Sequence, residues 1–193
     1  MYKRQVYYWN YKATGSATNT WSTSLLNKTN LNTNFINNIG TTWANKIATV
    51  TWKVGGNTWA NIGTKTSSVA YTNEITNPVT TNTTDNATTY SAKIGLMYVS
   101  DYYYSASPSA WTLVGYNSSD ATKDYRAAKT TNWLYLGSYE WTVSRYSDRT
   151  THAFSVTSTG DVLHSNVTDS YAVRPSFNLE SSVKICIRVR KYE

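Results

Sequence analysis

Apolar positions change their period once along the chain. Up to residue 48 they recur at near-helical intervals, at Leu25, Leu26, Leu31, Phe35, Ile36 and Ile39. That spacing predicts short helices over 22–28 and 31–39, with Ser22 or Thr23 as the cap and Gly40 as the stop. "TTWANKI" (42–47) reads as one more helical turn. "ATVTWKV" then alternates as a strand ending at Gly55-Gly56. Residues 57–90, centred on "NPVTTNTTDNATT", read as a long polar loop. "IGLMYVS" (94–100) predicts a buried strand that runs into the aromatic loop "DYYYSASPSAW". Residues 115–132 read as a second polar loop. "YEWTVSR" places Trp141, Val143 and Arg145 on one strand face and Glu140, Thr142 and Ser144 on the other. "AFSVTSTGDVLHSNV" predicts a hairpin about Thr159-Gly160-Asp161. "YAVRPSFNL" alternates again, with Val173, Pro175, Phe177 and Leu179 on one side. Early helices and a late meander of strands (near 94–100, 139–145, 153–158, 161–167 and 171–178) give an α+β domain with a twisted antiparallel sheet and long polar loops. Its expected core is Trp52, Leu96, Tyr98, Trp133, Trp141, Phe154, Val173 and Phe177.

Composition decides whether such a chain can close a core. Leu, Ile, Val and Phe are scarce, which alone leans toward disorder. Yet 15 % of the 193 residues are aromatic, with 8 Trp and 17 Tyr, and each buried ring removes a large area from water. The rest is rich in Asn, Thr and Ser, as in secreted or surface proteins. The net charge is +7. Lys3 and Arg4 carry two of these charges, and Arg188, Arg190 and Lys191 against Glu193 carry a net two. The body has no basic stripe of the kind a phosphate backbone needs, so nucleic acid is not an expected partner. The single cysteine, Cys186, permits no internal disulfide. No apolar run is long enough to insert into a bilayer, and no signal peptide is visible. "MYKRQ" back-translates to a sequencing adapter, so residues 1–5 are expected to be adapter-derived. The tail 186–193, "CIRVRKYE", shifts abruptly in composition and is suspect as well.

Four strings, "YSAKIGLMYVSDY", "NWLYLGSYEWTVSR", "AFSVTSTGDV" and "YAVRPSFNL", together resemble a domain of unknown function common in surface proteins of Gram-positive gut bacteria. That family looks like the C-type-lectin-like fold. It is similar in layout to the formylglycine-generating-enzyme group and to the variable proteins of diversity-generating retroelements. The resemblance covers residues 6–185 and implies a single domain. It also implies a metagenomic fragment lacking the family's opening strand and its proper close. Location outside the cell or on its surface is implied, with a protein or glycan as partner. The formylglycine-generating relatives need reactive cysteine chemistry, and Cys186 lies in the suspect tail, so the resemblance carries fold and not activity.

The candidate chemistry lies in "EWTVSRYSDRTTHAFSVTSTGDVLHSNVTDSYAVRP". A hydrolase could pair Glu140 with Asp148, and His152 with His164 could begin a metal site. Neither set is complete, so no catalytic residue, metal site or cofactor is expected. "EITNP" holds fragments of a calcium-ligand pattern, but only Glu74 supplies charge there. The expectation is a display surface. In the turn after the first strand it would use Tyr146, Asp148, Arg149 and His152. Outward hairpin positions add Ser155, Thr157, His164 and Asn166, and Asp169 and Tyr171 follow. In an extended "YYY" the rings alternate sides, which would expose Tyr103 or Tyr104. Glu140, Trp141, Arg174 and Pro175 are assigned structural roles, with Arg174 pairing Glu140 or loop carbonyls. The expected function is a non-catalytic binding or adhesion module. A pilin-like or envelope subunit is the alternative, and a hydrolase is a remote one.

Overall fold

The computed structural model describes residues 5–64, 66–80, 87–113 and 128–184. The adapter-like start and the suspect tail, apart from Gln5, lie outside these residues, as do the centre of the first polar loop and most of the second.

After strand β1 (Val6–Tyr8), the chain enters a helix, Leu26–Phe35, wound with wide i→i+5 turns. The sequence accounts for that width. Leu26, Leu31 and Ile36 recur every five residues, and a wide turn puts them on one face. The helix continues as α1 (Ile36–Ala44), so the two helices expected here are one. At Gly40 the backbone leaves the helical region, with φ at 78°, so the run ends there as expected and a further helical turn follows. Lys93 braces its end by donating to the carbonyls of Ala44, the last helical residue, and of Ile47, three residues beyond it. Strand β2 (Val50–Lys53) follows, then β3 (Gly56–Asn57).

The segment expected as a loop over 57–90 contains α2 (Trp59–Thr64) and α3 (Ser67–Tyr71), which runs on through Thr72–Thr76, and then β4 (Thr89–Ala92). These helices are short and polar, too brief for a periodic signal to stand out. The strand expected over 94–100 is also corrected. Only β5 (Ile94–Gly95) is extended, and α4 (Val99–Tyr104) begins four residues later. Strands β6 (Glu140–Tyr146), β7 (His152–Val156) and β8 (Val162–Asn166) fall within two residues of expectation. The last expected strand is split into β9 (Ser170–Ala172) and β10 (Ser176–Phe177), with Arg174-Pro175 between them, since proline cannot donate to a ladder.

The main sheet has the order β1-β9-β6-β7-β8, with β3 parallel to the far end of β6. Strand β9 meets the start of β6 in parallel, at Glu140 and Ala172, and the other pairs are antiparallel. Two small pairs, β2–β4 and β5–β10, lie off it. The fold is therefore mixed α+β.

Core material covers both faces of this sheet. One cluster gathers Trp9, Trp21, Trp52 and Trp141 around Leu26, Leu31, Ile94 and Leu96. The other gathers Tyr102, Tyr103, Phe154, Val156 and Val162. Buried indoles place their N–H groups on backbone carbonyls: Trp9 on Thr142, Trp141 on Tyr7 and Trp52 on Ala92, at 2.9–3.1 Å. Each such ring removes enough area to contribute roughly 4–6 kcal/mol in transfer terms. Trp52 lies flat on Gly95, where an added Cβ would sit 2.6 Å from the ring. Asn32 clips β5 to the long helix by exchanging two 2.9 Å bonds with the Ile94 backbone.

The two-sided covering overturns part of the expected facing. All seven residues of β6 are buried, because one face meets the Trp cluster and the other meets α4. Between Trp141 and Arg145 the register against β7 slips, which breaks strict alternation. Of the expected core, Trp52, Leu96, Trp141 and Phe154 are buried, while Tyr98 and Val173 are half-buried. Trp133 is 77 % exposed and Phe177 45 % exposed, so both leave the core list.

Candidate functional site

Two surfaces qualify as candidates, and the sequence pointed to one of them. The turn joining β6 to β7 brings Tyr146, Asp148, Arg149 and His152 together, and β8 adds His164. Asn19, unforeseen, holds this turn from beneath. Its amide nitrogen lies 3.1 Å from the Tyr146 carbonyl oxygen, 3.0 Å from that of Arg149 and 2.7 Å from that of His152. Its backbone N–H donates to Thr150. Asp148 accepts the Trp59 backbone N–H at 3.1 Å. The rings interlock: His164 stacks on Tyr146 at 4.3 Å, with Trp59 at 5.3 Å and His152 at 5.4 Å on its edges. Register explains the histidine contact, since His152 faces Asn166 and His164 faces Phe154, one diagonal step away. Asp148, Arg149, Thr150 and Thr151 rim an open recess of about 650 Å³.

Burial and neighbouring charge perturb the two imidazoles of this cluster. Burial pushes both imidazoles below the ordinary histidine range. The Arg149 charge reinforces this at His152, and His152 and Arg149 reinforce it at His164. Both rings are held toward the neutral form.

Other expected display residues are corrected. Ser155 and Thr157 are buried: Ser155 shares a hydrogen bond with Ser165, and Thr157 donates to Asp161 across the hairpin turn. Both strand faces are covered, so alternation there did not mean exposure. Tyr146 is buried beneath the histidines. Tyr103 is buried because "YYY" is helical, not extended, and the Tyr102 and Tyr103 rings turn inward together. Asn166 is exposed and accepts from Thr168. Asp169 accepts from the Tyr171 hydroxyl, and the Tyr171 ring stacks on Trp141 at 4.6 Å, away from the histidines.

The second surface surrounds Trp133. Asn132 builds it: its side chain donates to the Tyr102 carbonyl at 2.7 Å and accepts from the Ser105 hydroxyl and the Leu134 N–H. With Asn132 and Leu134 both tucked in, the residue between them must point outward. Asp101 and Tyr104 share the outer face of α4, three residues apart. Arg174 arrives from the β9–β10 connection. It forks onto Glu140 with two 3.0 Å bonds and also donates to the Leu134 carbonyl at 2.6 Å, so Glu140 is the partner that the sequence proposed. These groups line a recess of about 360 Å³ floored by Met97 and Leu134. Exposed Trp111 meets Tyr104 edge-on at 5.2 Å and Tyr71 meets it at 6.5 Å, extending an aromatic row away from the recess. Asp101 accepts the Tyr98 N–H, and burial raises its pKa above the usual carboxylate value.

Glu74 is a third group, which sequence reasoning weighed only as a calcium ligand. It is buried, receives the backbone N–H groups of Val99 and Ser100 at 3.2 and 2.9 Å, and takes a hydrogen bond from the Ser144 hydroxyl. It thereby caps the start of α4. Burial pushes its carboxyl up to about 7, against the lowering effect of its hydrogen bonds. Glu140 and Asp148 stand at opposite ends of β6, a strand roughly 20 Å long. Among the described residues no three His, Cys, Asp or Glu side chains come together, and no helix is long and apolar enough to cross a membrane.

No family model matches the chain, and neither a curated protein nor a solved structure matches it significantly.

Proposed function

We propose that the chain is a non-catalytic ligand-binding module, presented outside the cell on a C-type-lectin-like scaffold. The early helix and the central mixed sheet are what support the scaffold reading. One observation carries the functional one: Tyr71, Tyr104 and Trp111 form a run of exposed rings, and exposed Trp133, held outward by the buried bonds of Asn132, lines the same recess as Tyr104. Rigid rings beside small polar groups are what recognition surfaces use. The acids one would recruit for acid–base work are engaged elsewhere, Glu140 by Arg174, Glu74 by the α4 backbone and Asp148 by Trp59.

The test is adhesion of fluorescent full-length protein to bacterial and epithelial cells. Binding that falls in a Tyr104→Ala, Trp111→Ala, Trp133→Ala triple variant supports the reading. Binding that is absent, or indifferent to those changes, overturns it. A second reading, a structural subunit packed against its own copies, is favoured by a different patch. Trp43, 68 % exposed, and Phe177 border an apolar groove of about 520 Å³ with Ile39, Ile47 and Leu179. Concentration-dependent sedimentation that Trp43→Ala abolishes would favour that reading.

A further inference from the structure

We infer that the Trp133 recess binds a neutral sugar ring, stacked on the indole and fixed at its edge by Asp101 and Arg174. The inference rests on the binding-module reading and names the ligand class for it. A pyranose has an apolar face of C–H groups and an edge of hydroxyls that both donate and accept. The recess offers the complement of each. The indole of Trp133 is open to solvent and has no hydrogen-bond or ring partner among the described residues. At its side, Asp101 spends one carboxylate oxygen on Tyr98 and keeps the other as an acceptor. Arg174 spends Nε and Nη2 on Glu140 and Leu134 and keeps Nη1 as a donor. Neither group has to be ordered at the moment of binding, because each is already fixed by a bond to the fold, and prior ordering removes a large cost of association.

The charges narrow the class. A phosphate or carboxylate ligand would meet Asp101, and a quaternary ammonium would meet Arg174. A purely apolar side chain from a protein partner would cover both polar groups without pairing them, and an unpaired buried group is costly. A ligand that is neutral, flat on one face and rich in hydroxyls leaves none of these conflicts. About 360 Å³ lies at the small end of ligand pockets, of order 300–1,000 Å³, and suits one ring with its neighbours running out along Tyr104 and Trp111.

The experiment is saturation-transfer NMR on the full chain with methyl glycosides of glucose, galactose, mannose and N-acetylglucosamine, and with choline and methyl phosphate as contrasting probes. At least one glycoside should receive saturation, strongest at the C–H protons of one ring face. The signal should fall about tenfold in Trp133→Ala, fall in Asp101→Asn, survive in part in Trp133→Phe and persist in Trp43→Ala. Unchanged melting temperatures show that the variants remain folded, and Asp101→Asn keeps an acceptor for Tyr98. Transfer to choline or methyl phosphate alone, to no probe, or to glycosides regardless of Trp133 overturns the inference. If cell binding still depends on the aromatic row while every glycoside fails, only the sugar assignment falls. If cell binding fails too, the module reading falls with it.

Discussion

Glu74 and Glu140 are equally buried, each about 1 % exposed, yet the fold treats them in opposite ways. Glu140 is met by the forked guanidinium of Arg174. Glu74 is met by two backbone N–H groups and a hydroxyl. A cation restores much of what a carboxylate loses on leaving water, whereas neutral donors restore less. The Glu74 carboxyl accordingly rises to about 7 despite its hydrogen bonds. The same side chain is an ion-pair partner at one end of β6 and a proton-dependent cap near α4. The first is fixed architecture. The second makes the α4 region, which also carries Asp101 and Tyr104, sensitive to pH.

Breaking the ion pair tests this contrast most severely. Arg174→Met should destabilise the chain by about 3–5 kcal/mol, since the buried Glu140 carboxylate would lose its guanidinium. Urea melts should recover much of that loss when Glu140→Gln is added. A single variant within error of wild type would mean that Glu140 is protonated or rehydrated, and the contrast would collapse. Replacing the other acid should act in the opposite direction. Because the folded-state pKa of Glu74 is raised, its stabilisation is whole below about 4.5 and is lost as pH rises through about 7. Above that, ionising the buried group costs about 3 kcal/mol. Glu74→Gln should therefore raise stability at pH 8 by about 2 kcal/mol and do little or harm at pH 5. A gain that is the same at both pH values would show that the proton is irrelevant.

Sequence pattern revealed these regions unequally, for physical reasons. The hairpin about Gly160 and the strand at Trp141 were legible because alternation and turn chemistry are local. The Arg174–Glu140 pair was legible because a lone cation beside proline and a lone acid on a strand have few other partners. Glu74 was not, since nothing near "EITNP" shows that Val99 and Ser100 start a helix above it. Trp133 was misplaced because an indole in "NWLYL" reads as core. Its exposure is decided by Asn132, whose bonds reach Tyr102 and Ser105, some thirty residues away. The long helix was read as two because its apolar residues recur every five positions, and a 3.6-residue template divides that repeat. Ser155 and Thr157 were put outside because period-two alternation states which residues share a face, not whether the other face is covered.

The histidine pair should give a smaller, opposite pH effect. His152 and His164 are pushed below the ordinary histidine value of 6.5, so their stabilisation is present above 6.5 and lost as pH falls below it. The unfolded chain takes up those protons first. His152→Gln with His164→Gln should remove this acid-side loss, which is worth no more than about 1 kcal/mol for groups this accessible. Wild type should then be most stable between the two transitions, near mildly acidic pH. If the double variant left the acid limb of a stability–pH curve unchanged, the ring cluster would not be storing neutral imidazoles.

The smallest effect separates the scaffold of the β6–β7 turn from its outer surface. Arg149 is exposed and contributes its backbone carbonyl to Asn19. Its side chain can be removed without touching that bond, so Arg149→Ala should shift stability by no more than about 0.5 kcal/mol. Asn19→Ala removes the donor to Tyr146, Arg149 and His152 at once and leaves their carbonyls short of partners, at a cost of about 1–3 kcal/mol. Thermal melts of the two variants at pH 7 measure the difference directly. Comparable losses would mean that the guanidinium, not the amide beneath it, shapes the turn. Equal and negligible losses would mean that the turn keeps its shape without the clamp, and that the neutral histidines above it depend on their own stacking alone.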